Sequence, residues 1–590
     1  MVFQDFDQIS ERRRLEREQK FRKRITIAAI TIVLLLVIIG CGVFAIISEN
    51  KNTKRSKESS QESKGSAKDV AQVDRVIRRI CNGTDYKDTC VSSLESEVKK
   101  DPSSANPKAI LRLAIEATDD EMGVVLKKAS SFKFESPQEK AAFEDCKVLI
   151  KDAKEELKES LTHAGVDIKK LAENEPELNN LLSAVMSYQQ TCIDGFPDGK
   201  LKSDMEKTFN ASKELTSNSL AMVSSLTSFL SSFGEINHSR RLLATKPNLS
   251  SMDKDELPSW ISNEDRRILK ADDSDKPTPN VIVAKDGSGK FKTISEALKA
   301  MPKKYKGRYI IYVKAGVYDE VVTVEKKMEN ITMYGDGSQK SIITGNKNFK
   351  DGVQTFRTAS FVALGNGFMA KAIGFRNTAG PEKHQAVAAR VQADRTIFLN
   401  CRFEGYQDTL YVQTHRQYYR SCVIAGTIDF IFGDAAAILQ NCQIVIRKPL
   451  ENQQNIVTAQ GRIDPHETTG IVLQNCRIQP DKSLVPDKAK FKSYLGRPWK
   501  EYSRTIVMES TIEDLIHPDG WLAWEGEKGL KTLYYAEFNN KGPGASTKAR
   551  VKWPGYHVID KEEANKYTIE PFIQGDWIND MGAPVHFGLF

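Results

Sequence analysis

Residues 396–442 read TIFLNCRFEGYQDTLYVQTHRQYYRSCVIAGTIDFIFGDAAAILQNC, and a near-repeat within them decides the fold. Leu399-Asn400-Cys401 and Gln440-Asn441-Cys442 each end a short apolar run, and Gln474-Asn475-Cys476 does so again further on. Cys401, Cys422 and Cys442 are 21 and then 20 residues apart. From Val281 to the C-terminus, short runs of Val, Ile, Thr, Phe and Tyr alternate with Gly, Asn and Asp, the texture of strands and turns. Combined with the returning Asn and Cys, it predicts the stacked coils of a right-handed parallel β-helix, with inward Asn and Cys forming ladders.

The same period aligns polar residues. Asp429 follows Asp408 by 21 residues, and Gln407 follows Gln385 by 22. Residues one coil apart share a face of the solenoid, with neighbouring strands about 4.8 Å apart. Two carboxylates so placed do not both ionise easily, so the pair is expected to divide into a protonated acid and an ionised nucleophile. Two glutamine amides beside them donate hydrogen bonds to a developing oxyanion. Arg497, in Leu495-Gly496-Arg497-Pro498-Trp499, is a cation suited to keeping the nucleophile ionised. The competing reading is that Asp and Gln beside Gly are turn residues of a repeat fold.

Working outward, the region before this one is helical, from about Val70 to Phe233. Ser136-Pro137-Gln138-Glu139 carries a capping box, and Phe143, Cys146, Ile150, Ala153, Leu157 and Leu161 follow at spacings of three and four. Asn106-Pro107 opens another helix, and Met205 to Phe233 supplies a further apolar face. Their sum is an antiparallel helical bundle. Before it, a basic block from Arg12 to Arg24 precedes an uncharged run, Ile25 to Ile47, about 35 Å long as a helix. An uncleaved signal anchor is favoured over a cleaved signal peptide by the length of both segments. The positive-inside rule then places everything after Ser48 in the lumen.

That topology makes the cysteines read as disulfide candidates and makes the sequons at Asn82, Asn210, Asn237, Asn248 and Asn330 candidate glycosylation sites. A polar linker between the two domains holds dibasic pairs at Arg240-Arg241 and Arg266-Arg267, where a protease can cut. The net charge of +8 suits contact with an acidic polymer without specifying one. Several chemistries are excluded by missing motifs. There is no Cys-x-x-Cys for a zinc ribbon, no His-Glu-x-x-His for a catalytic zinc and no Gly-x-Ser-x-Gly for a serine esterase. Gly287-Ser288-Gly289-Lys290 lacks the remainder of a phosphate loop.

Gly405 to Tyr411, Gly426 to Gly433 and Leu495 to Trp499 closely resemble the signature blocks of plant pectin methylesterases. Gly316-Val317-Tyr318-Asp319-Glu320 and Gly335-Asp336-Gly337 resemble further landmarks of that family, in the right order. The helical region, with Ile80 to Tyr86 and its four cysteines, is similar to the invertase and pectin methylesterase inhibitor family. The resemblance implies a multidomain chain. Its expected parts are a cytoplasmic segment (1–24), a transmembrane anchor (25–47), a linker (48–69), an all-α four-helix bundle (70–235), a processing linker (236–276) and a β-helix (277–590).

It implies an enzyme that hydrolyses methyl esters of homogalacturonan in the plant cell wall, with an autoinhibitory pro-region. Asp429 is then the nucleophile, Asp408 the proton donor and base, Gln385 and Gln407 the oxyanion donors, and Arg497 the group orienting Asp429. Gln354, Gln385, Arg497 and Trp499 contact substrate, although Gln354 stands where the family often has Thr. Gln413 and Asp434 also depart from the usual residues, His and Asn, and Asp434 is expected to shift the pH dependence. Disulfides Cys422–Cys442, Cys81–Cys90 and Cys146–Cys192 and cleavage at Arg240-Arg241 are implied as well. The implied partners are pectin, a processing protease, free inhibitor proteins and, before processing, the membrane. No cofactor, metal or nucleic acid is implied, and a monomer is expected. The alternatives are another pectin-degrading β-helix enzyme (a polygalacturonase or lyase) and a wall-binding or inhibitor protein.

Overall fold

The computed structural model describes residues 75–100, 106–225 and 277–590. The expected membrane span 25–47, Arg240-Arg241, Asn237 and Asn248 lie outside the described residues. Among those described, no helix is long and apolar enough to cross a membrane.

Helices α1 (Lys87–Lys100), α2 (Pro107–Ala129), α3 (Pro137–Ala164), α4 (Ile168–Glu173), α5 (Glu175–Asp194) and α6 (Lys200–Ser224) build the first part. The capping signals act as their sequence predicts. Asn106 Oδ1 accepts from Ala109 N at 3.0 Å, and Ser136 and Glu139 form a reciprocal capping box. The long helices α2, α3, α5 and α6 pack in a closed ring. Phe143, Cys146, Ile150, Ala153 and Leu157 of α3 face its core with Leu182, Val185, Met205 and Phe209. Cys146–Cys192 ties α3 to α5, and Cys81–Cys90 closes a short N-terminal loop. By loop length alone the first crosslink, spanning 46 residues, is worth about 4 kcal/mol.

Residues 277–590 form a parallel β-helix of three sheets with eleven, seven and eight strands. Each strand pairs with those one coil before and after it. Leu410–Val412, for example, lies between Ala389–Val391 and Ile431–Gly433 in the seven-stranded sheet. The sequence echo has a backbone cause. Asn400, Asn441 and Asn475 turn the same corner of three coils at φ 51, 56 and 50°, with Ser421 (φ 52°) at that corner of the coil between the first two, a left-handed conformation that Asn tolerates. Asn475 Nδ2 also donates to Asn441 Oδ1 at 2.9 Å, an asparagine ladder. Inside, Phe398 stacks on Tyr419 at 5.1 Å and Phe375 on Phe403 at 5.2 Å.

The implied Cys422–Cys442 disulfide is corrected by the structure: Cys401, Cys422, Cys442 and Cys476 are all buried free thiols. Arg420 pairs with Gln440 and Val423 with Gln443, so Cys422 and Cys442 stand opposite each other in register. The sulfurs bond to backbone carbonyls instead. Cys422 Sγ donates to Phe398 O at 3.3 Å and Cys476 Sγ to Leu439 O at 3.1 Å. Thiol titration of the unfolded, unreduced fragment 277–590 is therefore expected to read four thiols per chain. A reading of two would restore the bridge.

Candidate active site

Asp408 and Asp429 sit at equivalent corners entering neighbouring strands of the seven-stranded sheet, Leu410–Val412 and Ile431–Gly433. Both have left-handed backbones, φ 61° and 50°, a conformation that costs energy outside glycine and recurs where geometry serves a site. Asp408 N donates to Ile428 O at 3.0 Å, which fixes one corner on the other. Arg497 follows the edge strand Ser493–Gly496 and grips Asp429 with a fork: Nε to Oδ1 at 2.8 Å and Nη2 to Oδ2 at 2.6 Å. The Trp524 ring lies 4.1 Å from that guanidinium.

The two carboxyls are electrostatically unequal. Burial, then the Asp429 charge, pushes Asp408 well above the ordinary carboxylate range. Burial raises Asp429 as well, but the Arg497 fork draws it back, so Asp429 is the first of the pair to ionise. Sequence reasoning expected one raised and one low value. The desolvation of both groups is the reason that neither is low.

A cleft of about 310 Å³ contains Asp408 and Asp429, with Gln354, Gln385, Gln407, Arg497 and Trp499 in its walls. Every residue expected to act on or contact substrate is thus brought to one place. Gln385 Oε1 is buried with no hydrogen-bond partner, so this amide is free to engage a ligand. Gln354 is already engaged: its Nε2 donates to Gly195 O at 2.9 Å and to Gln138 O at 3.1 Å, both on the bundle.

Sequence reasoning missed Tyr411 and Phe432, which stack at 4.3 Å in the cleft wall. Each stands three residues after an aspartate, Asp408 and Asp429, so the same period would have found them. It also missed Trp524, which sits in the long loop between the strands Thr511–Ile512 and Tyr534–Phe538, where no period points. Asp434 and Gln413 do not line this cleft. Asp434 Oδ1 accepts from Gln460 and Thr469, and burial pushes its carboxyl up to about 6. Asn82, Asn210 and Asn330 are exposed. Among the described residues, Glu159, His163 and Glu177 bring possible metal-ligand atoms within 4.8 Å of one another, but none of them lines the cleft.

The bundle supplies part of the cleft wall, through Thr191, Asp194 and Gly195 at the end of α5. The ion pairs that fasten it run one way, with acids on the bundle and bases on the β-helix. Glu156 meets Lys326 at 3.0 Å and His415 at 3.7 Å, and Glu177 meets Arg416 at 2.8 Å and Arg395 at 3.0 Å. Asp85 meets His466 at 3.0 Å, Asp194 meets Lys500 at 2.6 Å, and Asp145 meets Arg357. Glu156 and His415 are both buried. Each favours the charged form of the other: Glu156 is held below its usual range and His415 above, despite burial.

A solenoid carrying a forked Asp–Arg pair beside a second, raised carboxyl and two amides defines an acyl-transfer hydrolase under a helical cover. Residues 280–576 match the Pectinesterase family, and residues 75–222 match the family "Plant invertase/pectin methylesterase inhibitor". The chain belongs to the pectinesterase family, in the form that carries an inhibitor-type domain on the same chain, and is a carboxylic ester hydrolase. It is 53% identical to putative pectinesterase/pectinesterase inhibitor 45 of Arabidopsis thaliana and 51% identical to probable pectinesterase/pectinesterase inhibitor 13 of the same plant, over the whole of each chain. Among solved structures, pectin methylesterase from carrot is 51% identical, with a TM-score of 0.53. That match covers 53% of this chain and 99% of the carrot chain.

Proposed function

We propose that this cleft removes methyl groups from homogalacturonan through a covalent intermediate on Asp429. The observation that carries the reading is the Arg497 fork on Asp429 alone, which separates two buried carboxyls into nucleophile and acid. Asp429 adds to the ester carbonyl, and the amides of Gln385 and Gln407 donate to the tetrahedral oxyanion. The intermediate collapses as Asp408 gives its proton to the departing methoxide, releasing methanol and leaving an anhydride on Asp429. Water then attacks the acyl carbon while Asp408 takes its proton. The uronic acid leaves, and both aspartates regain their starting states.

Two features support a latent form. The end of α5 forms a wall of the cleft, and Gln354, an expected substrate contact, is held by bundle carbonyls. The further reading is that the chain enters the secretory path through 25–47, is cut after Arg241, and acts in the cell wall. The experiment for the chemistry is direct. Fragment 277–590 with highly methylated pectin is expected to release methanol without new reducing ends or unsaturated products. New chain ends would instead point to a polygalacturonase or lyase, and neither product to a binding protein.

A further inference from the structure

A second pair of carboxyls is buried outside the cleft, where the β-helix meets the bundle. Asp434 and Glu467 are 5% and 1% exposed. Asp434 follows the strand Ile431–Gly433, and Glu467 lies in the loop 461–469 between the strands Asn455–Gln460 and Gly470–Gln474. Each carboxyl uses one oxygen on local donors. Asp434 Oδ1 accepts from Gln460 Nε2 at 3.0 Å and from Thr469 Oγ1 at 2.5 Å. Glu467 Oε2 accepts from the backbone N–H of Ile463 at 2.9 Å and of Asp464 at 2.8 Å. The other two oxygens, Asp434 Oδ2 and Glu467 Oε1, are buried and receive no hydrogen from the protein, and the two side chains stand within hydrogen-bond reach of each other. Two carboxylates cannot satisfy such a contact, whereas one shared proton does.

The loop that Glu467 folds is also a docking element for the bundle. Ile463 packs on the bundle core. Thr468 N donates to Ser183 Oγ at 3.2 Å, Ser224 Oγ donates to His466 O at 3.4 Å, and His466 Nε2 lies 3.0 Å from Asp85 Oδ2. On the other side, Ser187, Gln190, Thr191 and Asp194 of α5 close over Asp434 and leave a gap of about 10 Å³. The bundle therefore completes the burial of the pair.

Charged groups face the pair from both parts. Arg462 and Arg504 of the β-helix attract both carboxyls, and Asp464 repels Glu467. From the bundle, the Lys213 ammonium of α6 faces Glu467 while it donates to Gln190 Oε1, and Asp194 is held by Lys500. Burial outweighs these cations. Asp434 is pushed up to about 6, and burial, then the Asp434 and Asp464 charges, holds Glu467 well above the carboxylate range.

We infer that Asp434 and Glu467 form a proton-held latch: their shared proton keeps loop 461–469 in the shape that grips the bundle, and loss of that proton lets the bundle go. This rests on the latent-form reading of the same cover. The sign follows from linkage. Undocking opens the pair to water, where both groups ionise at ordinary carboxylate values near about 4, so the docked form binds one proton more. Docking is strongest below about pH 4 and weakens about tenfold per pH unit from there to at least about 6. Asn, the more usual residue at position 434, would donate to Glu467 through its amide at every pH, so the switch belongs to Asp434.

The test uses the full chain with a protease site in 236–276, cut after folding, as parent, Asp434→Asn and Glu467→Gln. Separation of bundle from β-helix is followed by size-exclusion chromatography on dilution, from about pH 4 to about pH 7 at constant ionic strength. The seam imidazoles His415 and His466 also titrate, and every variant keeps both, so the pair is read by difference. At about pH 4 the Asp434→Asn complex should match parent. Between about pH 5 and about pH 6 the parent Kd is expected to rise about tenfold more than that of either variant, the effect of one proton. Near pH 7 Asp434→Asn should stay docked at concentrations where parent has separated, a gain that misfolding cannot produce.

Equal pH slopes in parent and both variants overturn the latch, and so do parent parts that co-elute at every pH or at none. Co-elution reads docking without activity. A docked chain that releases methanol as fast as fragment 277–590 therefore defeats the latent-form reading alone, and the slopes still decide the latch.

Discussion

Asp429→Ala in fragment 277–590 is expected to release methanol from highly methylated pectin about 10⁴-fold more slowly than parent, the scale of removing a nucleophile from a preorganised site. The side chain is buried, held on both oxygens by Arg497, and fixed by a left-handed backbone at φ 50°. No neighbouring group replaces it. Asp408 is raised well above the ordinary carboxylate range and is protonated where Asp429 is ionised. Asp408→Asn is expected to cost less, about 10²- to 10⁴-fold, because it removes proton transfer and leaves attack possible.

The pH dependence follows in sign. Activity needs Asp429 deprotonated, so it falls as pH drops through that group's value. It needs Asp408 protonated, so it falls again as pH rises through the higher value. The alkaline limb should disappear in Asp408→Asn. Methanol release by Asp429→Ala above about a tenth of the parent rate, with unchanged circular dichroism, would move the nucleophile elsewhere.

Removal of the bundle gives the second large effect. The intact chain is expected to show about 1% or less of the methanol release of fragment 277–590, because Thr191, Asp194 and Gly195 stand in the cleft wall and bundle carbonyls hold the Gln354 amide. The ion pairs of the seam are individually modest where exposed. Their number, the buried Glu156–His415 contact and the millimolar effective concentration of a tethered domain together keep it closed. A protease site placed in 236–276 separates tether from contact. Cleavage that leaves the two parts co-eluting should leave the enzyme silent, and salt that separates them should activate it. Equal rates from intact chain and fragment would show that the bundle does not occupy the cleft in solution.

The parts that were legible in the sequence share a physical origin. Capping at Asn106 and Ser136, the apolar stripe of α3 and the coil period are local: each depends on neighbours within a few residues or on one repeat length. That period also brought Gln385, Gln407, Asp408 and Asp429 together on paper, because residues one coil apart must stack. The disulfide carried over from the family failed for a related reason. Equal positions on adjacent coils make Cys422 and Cys442 neighbours, but each thiol is turned to backbone carbonyls, Cys422 Sγ to Phe398 O and Cys442 Sγ to Gln440 O.

The sequence by itself therefore determined the two domain types, the solenoid and the membership of its carboxylate cluster, since backbone propensity and periodicity are written residue by residue. Only the tertiary structure decided that Arg497 grips Asp429 through both of its oxygens, that Trp524 lies on that guanidinium, and that the bundle's acids face the β-helix's bases. These contacts join residues separated by tens to hundreds of positions with no repeat to relate them. They follow from how finished surfaces meet, and a one-dimensional pattern does not encode that.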